Sequence, residues 1–375
     1  MQTDILIVGG GISGLTAAWQ LQNAGRKVCL IEARDHVGGR ILTEGASSCD
    51  LGPSWFWPGQ PLIASLLEKF GIPSFEQFAK GKVLWQDEQG QVQDYPMRSP
   101  MAGALRIQGG VGALTQRIAT EISAENIRLG HALKGLQIQE DGVSAEVQGP
   151  EGELKIFAQR VALAIPPRLA GALAYRPELP EGTQQLLEST PTWMAGHAKF
   201  FALYEEPFWR ELGLCGTAMS RQGPLAEIHD ASAHTSEGYA LFGFVGLDAK
   251  TRAQLGEAEL IRMATEQLLQ IYGEKARAYR KVFIKDWSTE SFTAGPRDQE
   301  PQRHHPRYGL NPALGEAWAG RLKFISSESS FTNGGLIEGA LEAGKGYAQE
   351  MIGAEVFSGK GERVPHTASM DWDWL

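Results

Sequence analysis

The sequence predicts an α/β protein, and three observations carry that prediction. Residues 4–31 run as a short apolar segment, a glycine turn, a helical stretch and a second apolar segment, the order of a parallel β-α-β unit. Lys199–Tyr204 and Tyr239–Val245 alternate like strands, and an amphipathic stretch follows at Glu257–Tyr272. Together these read as a second, smaller α+β unit on a mixed sheet. The chain has 375 residues and 42% apolar content, enough for two units with ordinary cores.

In chain order, the first unit is DILIVGGGISGLTAAWQLQNAGRKVCLIEARDHVGGR. Asp4–Val8 is a buried strand, Ile12–Asn23 a helix closed by Gly25, and Lys27–Ile31 a second strand ending at Glu32. Gly9, Gly11 and Gly14 complete a GxGxxG turn between strand and helix. Gly9 allows the tight turn, Gly11 lets the backbone approach a pyrophosphate, and Gly14 lets the helix pack on the strand. The helix N-terminus offers N–H groups and a partial positive charge to phosphates. Glu32 can accept from both ribose hydroxyls of an adenosine and would repel a 2′-phosphate, which disfavours NADP. This is a Rossmann-type dinucleotide site.

The continuation, with Arg34, Gly38, Gly39 and Arg40 directly after the acidic residue, resembles the FAD-binding extension of flavin-dependent amine oxidases of the monoamine and polyamine oxidase type. Further segments resemble the same family in matching order: DLGPSWF (50–56), QGGVGALTQRIA (108–119), IRLGHALKGLQIQEDG (127–142), RVALAIPP (160–167) and LKFISSESSFTNGGLIEGALEAGKGYA (322–348). With the N-terminal unit they cover about half the chain. The resemblance implies a backbone contact to adenine at Leu133, an approach of Glu328 to the ribityl chain, and an N–H at Ile337 facing reduced flavin. A helix beginning near Leu336 would present its positive end there.

Lys199 begins an otherwise apolar strand and stands ten residues before Trp209, in an EPFW corner. By itself it reads either as a strand-end lysine snorkelling to water or as a cation aimed at a ligand. In the family such a lysine holds a water against flavin N5, where a positive charge favours the electron-rich flavin and reaction with oxygen. Trp287 in DWSTESF matches a family tryptophan near the flavin, and Phe292 a neighbouring aromatic.

Two departures from the family fall on the substrate side. Its two aromatic cage positions correspond to Arg297 and Leu336, and neither is aromatic. Arg297 is either an inward, anion-attracting guanidinium or a solvated loop residue. Pro296 stands where covalent members carry cysteine, so FAD should be held non-covalently. Ser326 replaces a family glycine. About 50 residues separate the returning loop from GGVGAL, fewer than half of what membrane-bound members insert, so a smaller, less enclosed cavity is expected.

The net charge of -9 argues against nucleic acid, and no apolar stretch has the length of a membrane span. Cys29, Cys49 and Cys215 show no metal spacing, which suits a reducing, cytoplasmic setting. RHHPR (303–307) reads as a solvated loop rather than a metal site, and HDASAH (229–234) either as a surface loop or as cavity lining. The expected division is an FAD-binding domain at 1–65, 108–189 and 286–357, a substrate domain at 66–107 and 190–285, and a tail at 358–375.

The resemblance implies an FAD-dependent oxidoreductase that moves hydride from a small organic substrate, an amine by default, to flavin N5. Molecular oxygen is the expected acceptor and hydrogen peroxide the product. A desaturase or dehydrogenase acting on C–C bonds, and a flavin-binding scaffold without turnover, remain open alternatives.

Overall fold

The computed structural model describes residues 1–45, 48–234, 238–299, 302 and 304–353; the tail expected at 358–375 lies outside them. Strand Gln2–Val8, helix Ile12–Asn23 and strand Val28–Ile31 form in the expected order. The first strand starts two residues early and the second one residue late. Both strands are central in an eight-stranded sheet, paired parallel to each other. The neighbouring strand Gly152–Leu163 is long enough to do two jobs. It pairs parallel with Gln2–Val8 and antiparallel with the hairpin strand Gly142–Gly149, and its end adds Leu322–Phe324 in parallel. Parallel strands buried on both faces explain the unbroken apolar runs in the sequence.

Helix Ile337–Gly353 lies on helix Ile12–Asn23 so closely that a Cβ on Gly344 would come within 2.2 Å of the Ser13 carbonyl oxygen. Its Glu338 caps a third helix, Pro61–Phe70, by accepting from the amides of Leu62 and Ile63 at 2.8 and 2.9 Å. A carboxylate there satisfies N–H groups that the helix itself leaves unpaired.

The second sheet has seven strands in the order 281–286, 198–204, 239–245, 225–230, 214–220, 82–86 and 92–95. It is antiparallel except for the pair 214–220 and 82–86. Helix Glu257–Tyr272 covers one face, packing Ala264, Leu268, Ile271 and Tyr272 in one cluster with Phe200, Ala202 and Tyr204. The other face carries Phe201, Ala240 and Phe242 against Cys49 and Leu51. That face meets the first sheet's loops, and the cavity opens between them. No helix among the described residues is long and apolar enough to cross a membrane.

Candidate active site

The dinucleotide side is built from backbone. Gly9 has φ +109°, and a Cβ on it would lie 2.7 Å from the Ala164 carbonyl oxygen. A Cβ on Gly14 would come within 2.0 Å of the Gly9 oxygen. Gly11 is different: the nearest atom to its Cβ would be the Gly38 oxygen at 3.9 Å. Gly9 and Gly14 thus hold the turn together, whereas Gly11 leaves space. That space lies at the N-terminus of helix Ile12–Asn23, which no side chain caps. The helix therefore points its positive end into the opening.

Glu32 is 4% exposed and accepts from the amides of Gly10 at 2.7 Å and Arg34 at 2.9 Å. Arg34 reaches Thr293 at 2.9 Å and Glu290 at 3.3 Å. Arg40 is gripped by Glu328 at 2.6 and 3.1 Å and by Ser327 at 3.1 Å. Glu328 is fully enclosed. Burial pushes its carboxyl up, but the charge and hydrogen bonds of Arg40 outweigh this and hold it below its ordinary value.

One cavity of about 810 Å³ joins this groove to the second sheet. Gly9, Gly11, Glu32, Arg34, Gly39, Arg40, Leu133 and Ile337 line its groove side, and Lys199, Trp287, Phe292 and Leu336 also line it. Three of the residues singled out in the sequence do not. Gly14 is packed behind the turn, and Glu328 acts on the site through Arg40. Arg297 points away: its side chain is 64% exposed and pairs with Glu188 at 3.3 Å. Of its two sequence readings, the solvated one is therefore correct.

Lys199 does not snorkel. Its ammonium is buried and donates to the Asp50 carbonyl at 3.1 Å, the Gly52 carbonyl at 2.5 Å and Ser54 Oγ at 3.0 Å. It sits over the rings of Phe242 at 4.6 Å and Phe244 at 5.4 Å. Burial lowers its pKa to about 7, with Asp50 pulling the other way and Arg106 adding to the fall. Trp287 donates its indole N–H to the Leu51 carbonyl at 2.8 Å. Lysine and tryptophan therefore clasp the same returning loop.

Other wall residues carried no sequence signal. Trp193 contacts His305 with ring centroids 4.9 Å apart, close against Gly335. His197 lines the cavity two residues before Lys199, and burial, then the charge of Arg252, lowers its pKa to about 4. HDASAH is no surface loop at its start. His229 and Asp230 end a strand and are 1% exposed, and Asp230 accepts from Trp209 and Arg210 at 2.8 Å each.

An extended groove between the sheets, with an uncapped helix N-terminus, an unfilled glycine cradle and a buried carboxylate at the second strand's end, fits FAD. The family model described as "Flavin containing amine oxidoreductase" matches residues 91–352, and "NAD(P)-binding Rossmann-like domain" matches residues 7–70. Mouse amine oxidase [flavin-containing] B is 25% identical over 94% of this chain and 86% of its own. Probable flavin-containing monoamine oxidase A of Dictyostelium discoideum is 23% identical over 93% and 97%. Putrescine oxidase of Kocuria rosea is 21% identical over 96% and 97%. Among solved structures, wild-type putrescine oxidase bound to putrescine superposes with a TM-score of 0.79 at 22% identity, covering 94% of this chain and 99% of the other. Cyclohexylamine oxidase from Brevibacterium oxydans IH-35A gives 0.78 at 20% identity; both show the shared fold. The chain belongs to the flavin containing amine oxidoreductases and is an FAD-dependent oxidoreductase.

Proposed function

We propose that this protein oxidises a small amine at the carbon next to nitrogen and uses molecular oxygen as final acceptor. FAD held in the groove supplies the two-electron acceptor for the departing hydride. The observation that carries the reading is Lys199, a buried ammonium on the wall where the groove meets the second sheet. Below about pH 7 it keeps a fixed positive charge in a water-poor site, where such charge acts strongly.

The remaining residues bind and orient. Glu32 takes the adenosine ribose, the first helix N-terminus and Arg34 favour the pyrophosphate, and Leu133 contacts adenine through its backbone. Arg40, set by Glu328, stands between phosphate and ring, and the Ile337 amide closes the far end. Pro296 offers no nucleophile, so attachment is non-covalent. Trp193, Phe244, Trp287 and Phe292 supply aromatic wall, and the neutral His197 adds no charge that would repel an amine. An outward Arg297 likewise removes the reason to expect an anionic substrate.

We assign the first sheet to an FAD unit and the second to a substrate unit, with crossings near residues 65, 107, 189 and 285. Cys29, Cys49 and Cys215 are buried and none is in a disulfide among the described residues, which suits a cytoplasmic setting. The test is anaerobic titration of the FAD-loaded protein with a panel of primary amines, then admission of air. Bleaching by amines followed by peroxide release supports the reading. A flavin that no amine bleaches refutes it.

A further inference from the structure

Strand Leu322–Phe324 is an edge of the first sheet. Its one partner strand among the described residues is the end of Gly152–Leu163. Toward that partner it turns the Arg321 carbonyl, which accepts from the Val161 amide, and the Ile325 amide, which donates to the Leu163 carbonyl. In a parallel ladder the backbone groups of alternate residues face alternate edges, so those of Leu322 and Phe324 face away. Of these, the Phe324 carbonyl accepts from Ser329 Oγ at 3.0 Å. The two faces of the strand differ as well. Leu322 and Phe324 pack with Leu310 and Trp318, whereas Arg321 and Lys323 fall on the opposite face by the period of two.

A second cavity of about 260 Å³ lies against this edge and shares no lining residue with the larger one. At about 30 Å³ per water it has room for about nine waters, the bulk of one indole ring. Leu310, Pro312 and Leu314 supply apolar wall, and Arg160, Lys323 and Tyr347 polar wall. Tyr347 is 3% exposed, and its hydroxyl has no partner among the described residues, a state that buried hydroxyls rarely keep. Arg160 donates to Met351 Sδ at 3.1 Å, and Arg321 to the carbonyls of Gln139 and Glu140 at 3.5 and 3.1 Å. Lys323 meets Glu350 at 3.0 Å. Glu350 is the one carboxylate on the wall beside three cationic side chains.

We infer that residues 370–375, MDWDWL, dock on this edge within the same chain. The segment alternates by two as the strand does: Trp372 and Trp374 share one face, Asp371 and Asp373 the other. Laid beside Leu322–Phe324, it gives the outward backbone groups a ladder partner. One face then brings a tryptophan to Leu310 and Leu314. The other brings aspartates to Arg160, Lys323 and the Tyr347 hydroxyl. The chain can reach. Helix Ile337–Gly353 ends two residues after Met351 of the cavity wall, and the 16 residues 354–369 span about 20 Å even as a random coil. The edge strand runs directly into Ser327 and Glu328, which hold Arg40, so the docked tail braces the FAD groove from behind.

The test is amide hydrogen exchange on the full FAD-loaded chain, read at Leu322 and Phe324 relative to Val28–Ile31 of the same sheet. Wild type is compared with the double variant Trp372→Ser/Trp374→Ser, whose changes lie outside the described body. Exchange at the edge about 10-fold or more faster in the variant supports docking, as for a local pairing that has been opened. Charge reversal checks the register of faces. Lys323→Glu, at a side chain 48% exposed, and Asp371→Lys/Asp373→Lys should each weaken the protection, and together they should restore part of it. Equal exchange in wild type and the tryptophan variant overturns the inference, and so do charge reversals that add without rescue. Protection that grows with protein concentration gives the edge to the tail of a second copy and overturns docking within one chain.

Discussion

The groove and the wall facing it are made by different means. On the groove side the decisive groups are backbone: a turn without room for side chains at Gly9 and Gly14, and a helix N-terminus beside the open Gly11. On the wall the decisive groups are side chains, Lys199 and Trp287, whose positions depend on strand face and register. A backbone-built site tolerates almost no added atom but is indifferent to most side-chain identity. A side-chain-built site tolerates isosteric replacement and changes its chemistry instead.

The strongest challenge to that contrast is a pair of glycine variants. Gly14→Ala places a methyl against the Gly9 carbonyl and should cost about 3 kcal/mol or more of stability. Gly11→Ala meets no atom closer than 3.9 Å, so it should fold with nearly wild-type melting and lose FAD affinity. Thermal melting and FAD titration separate the two; matching profiles would show that the turn is not divided in this way.

Next in size is Glu328→Gln. It leaves Arg40 without its counter-charge, and should cost about 2–4 kcal/mol, the lower part applying because Arg40 keeps 28% of its side chain exposed. The Glu328 pKa is lower folded than unfolded, so the stabilisation is present above the unfolded value and lost as pH falls through the folded one. Denaturant melts of wild type and variant should therefore converge below about pH 4.5. A constant gap down to strong acid would mean the pair is not ionic.

Lys199 gives a pH dependence of the same sign in a higher window. Its folded pKa is depressed to about 7 from 10.5, so the unfolded chain holds the extra proton between those values and wild-type stability should rise with pH across that window. Lys199→Met should lose the rise. A difference between the two curves that stays constant from pH 7 to 10 would show that the lysine is not buried as described. The smallest effect belongs to Arg297→Ala, which removes one exposed ion pair. Stability should change by less than about 1 kcal/mol and steady-state kinetics should not move. A change in substrate affinity would bring Arg297 back into the site.

The same division explains what could be read from the sequence. Glycine spacing records backbone crowding directly, so the first unit and its helix could be placed from residues 4–40 alone. Lys199 could be placed on a strand face, but its three acceptors come from Asp50, Gly52 and Ser54, some 150 residues away, and no local pattern announces them. His229 and Asp230 looked like loop residues because HDASAH is polar, yet a buried hydrogen-bond network satisfies that polarity. Arg297 kept two readings because the sequence does not say which way a residue in a short turn faces, and its partner Glu188 comes from a distant segment.

The central claim is that Lys199 acts on the oxygen side of the reaction. The most direct measurement photoreduces the FAD-loaded protein without substrate, admits air, and times reoxidation in wild type and Lys199→Met. The account predicts rapid return in wild type, slowing as pH rises through about 7, and a loss of about 100-fold or more in the variant below that pH, narrowing above it, the scale of a preorganised charge removed from a buried site. Equal rates in the two proteins would contradict it, and would leave Lys199 as a clasp on the loop at residues 50–54.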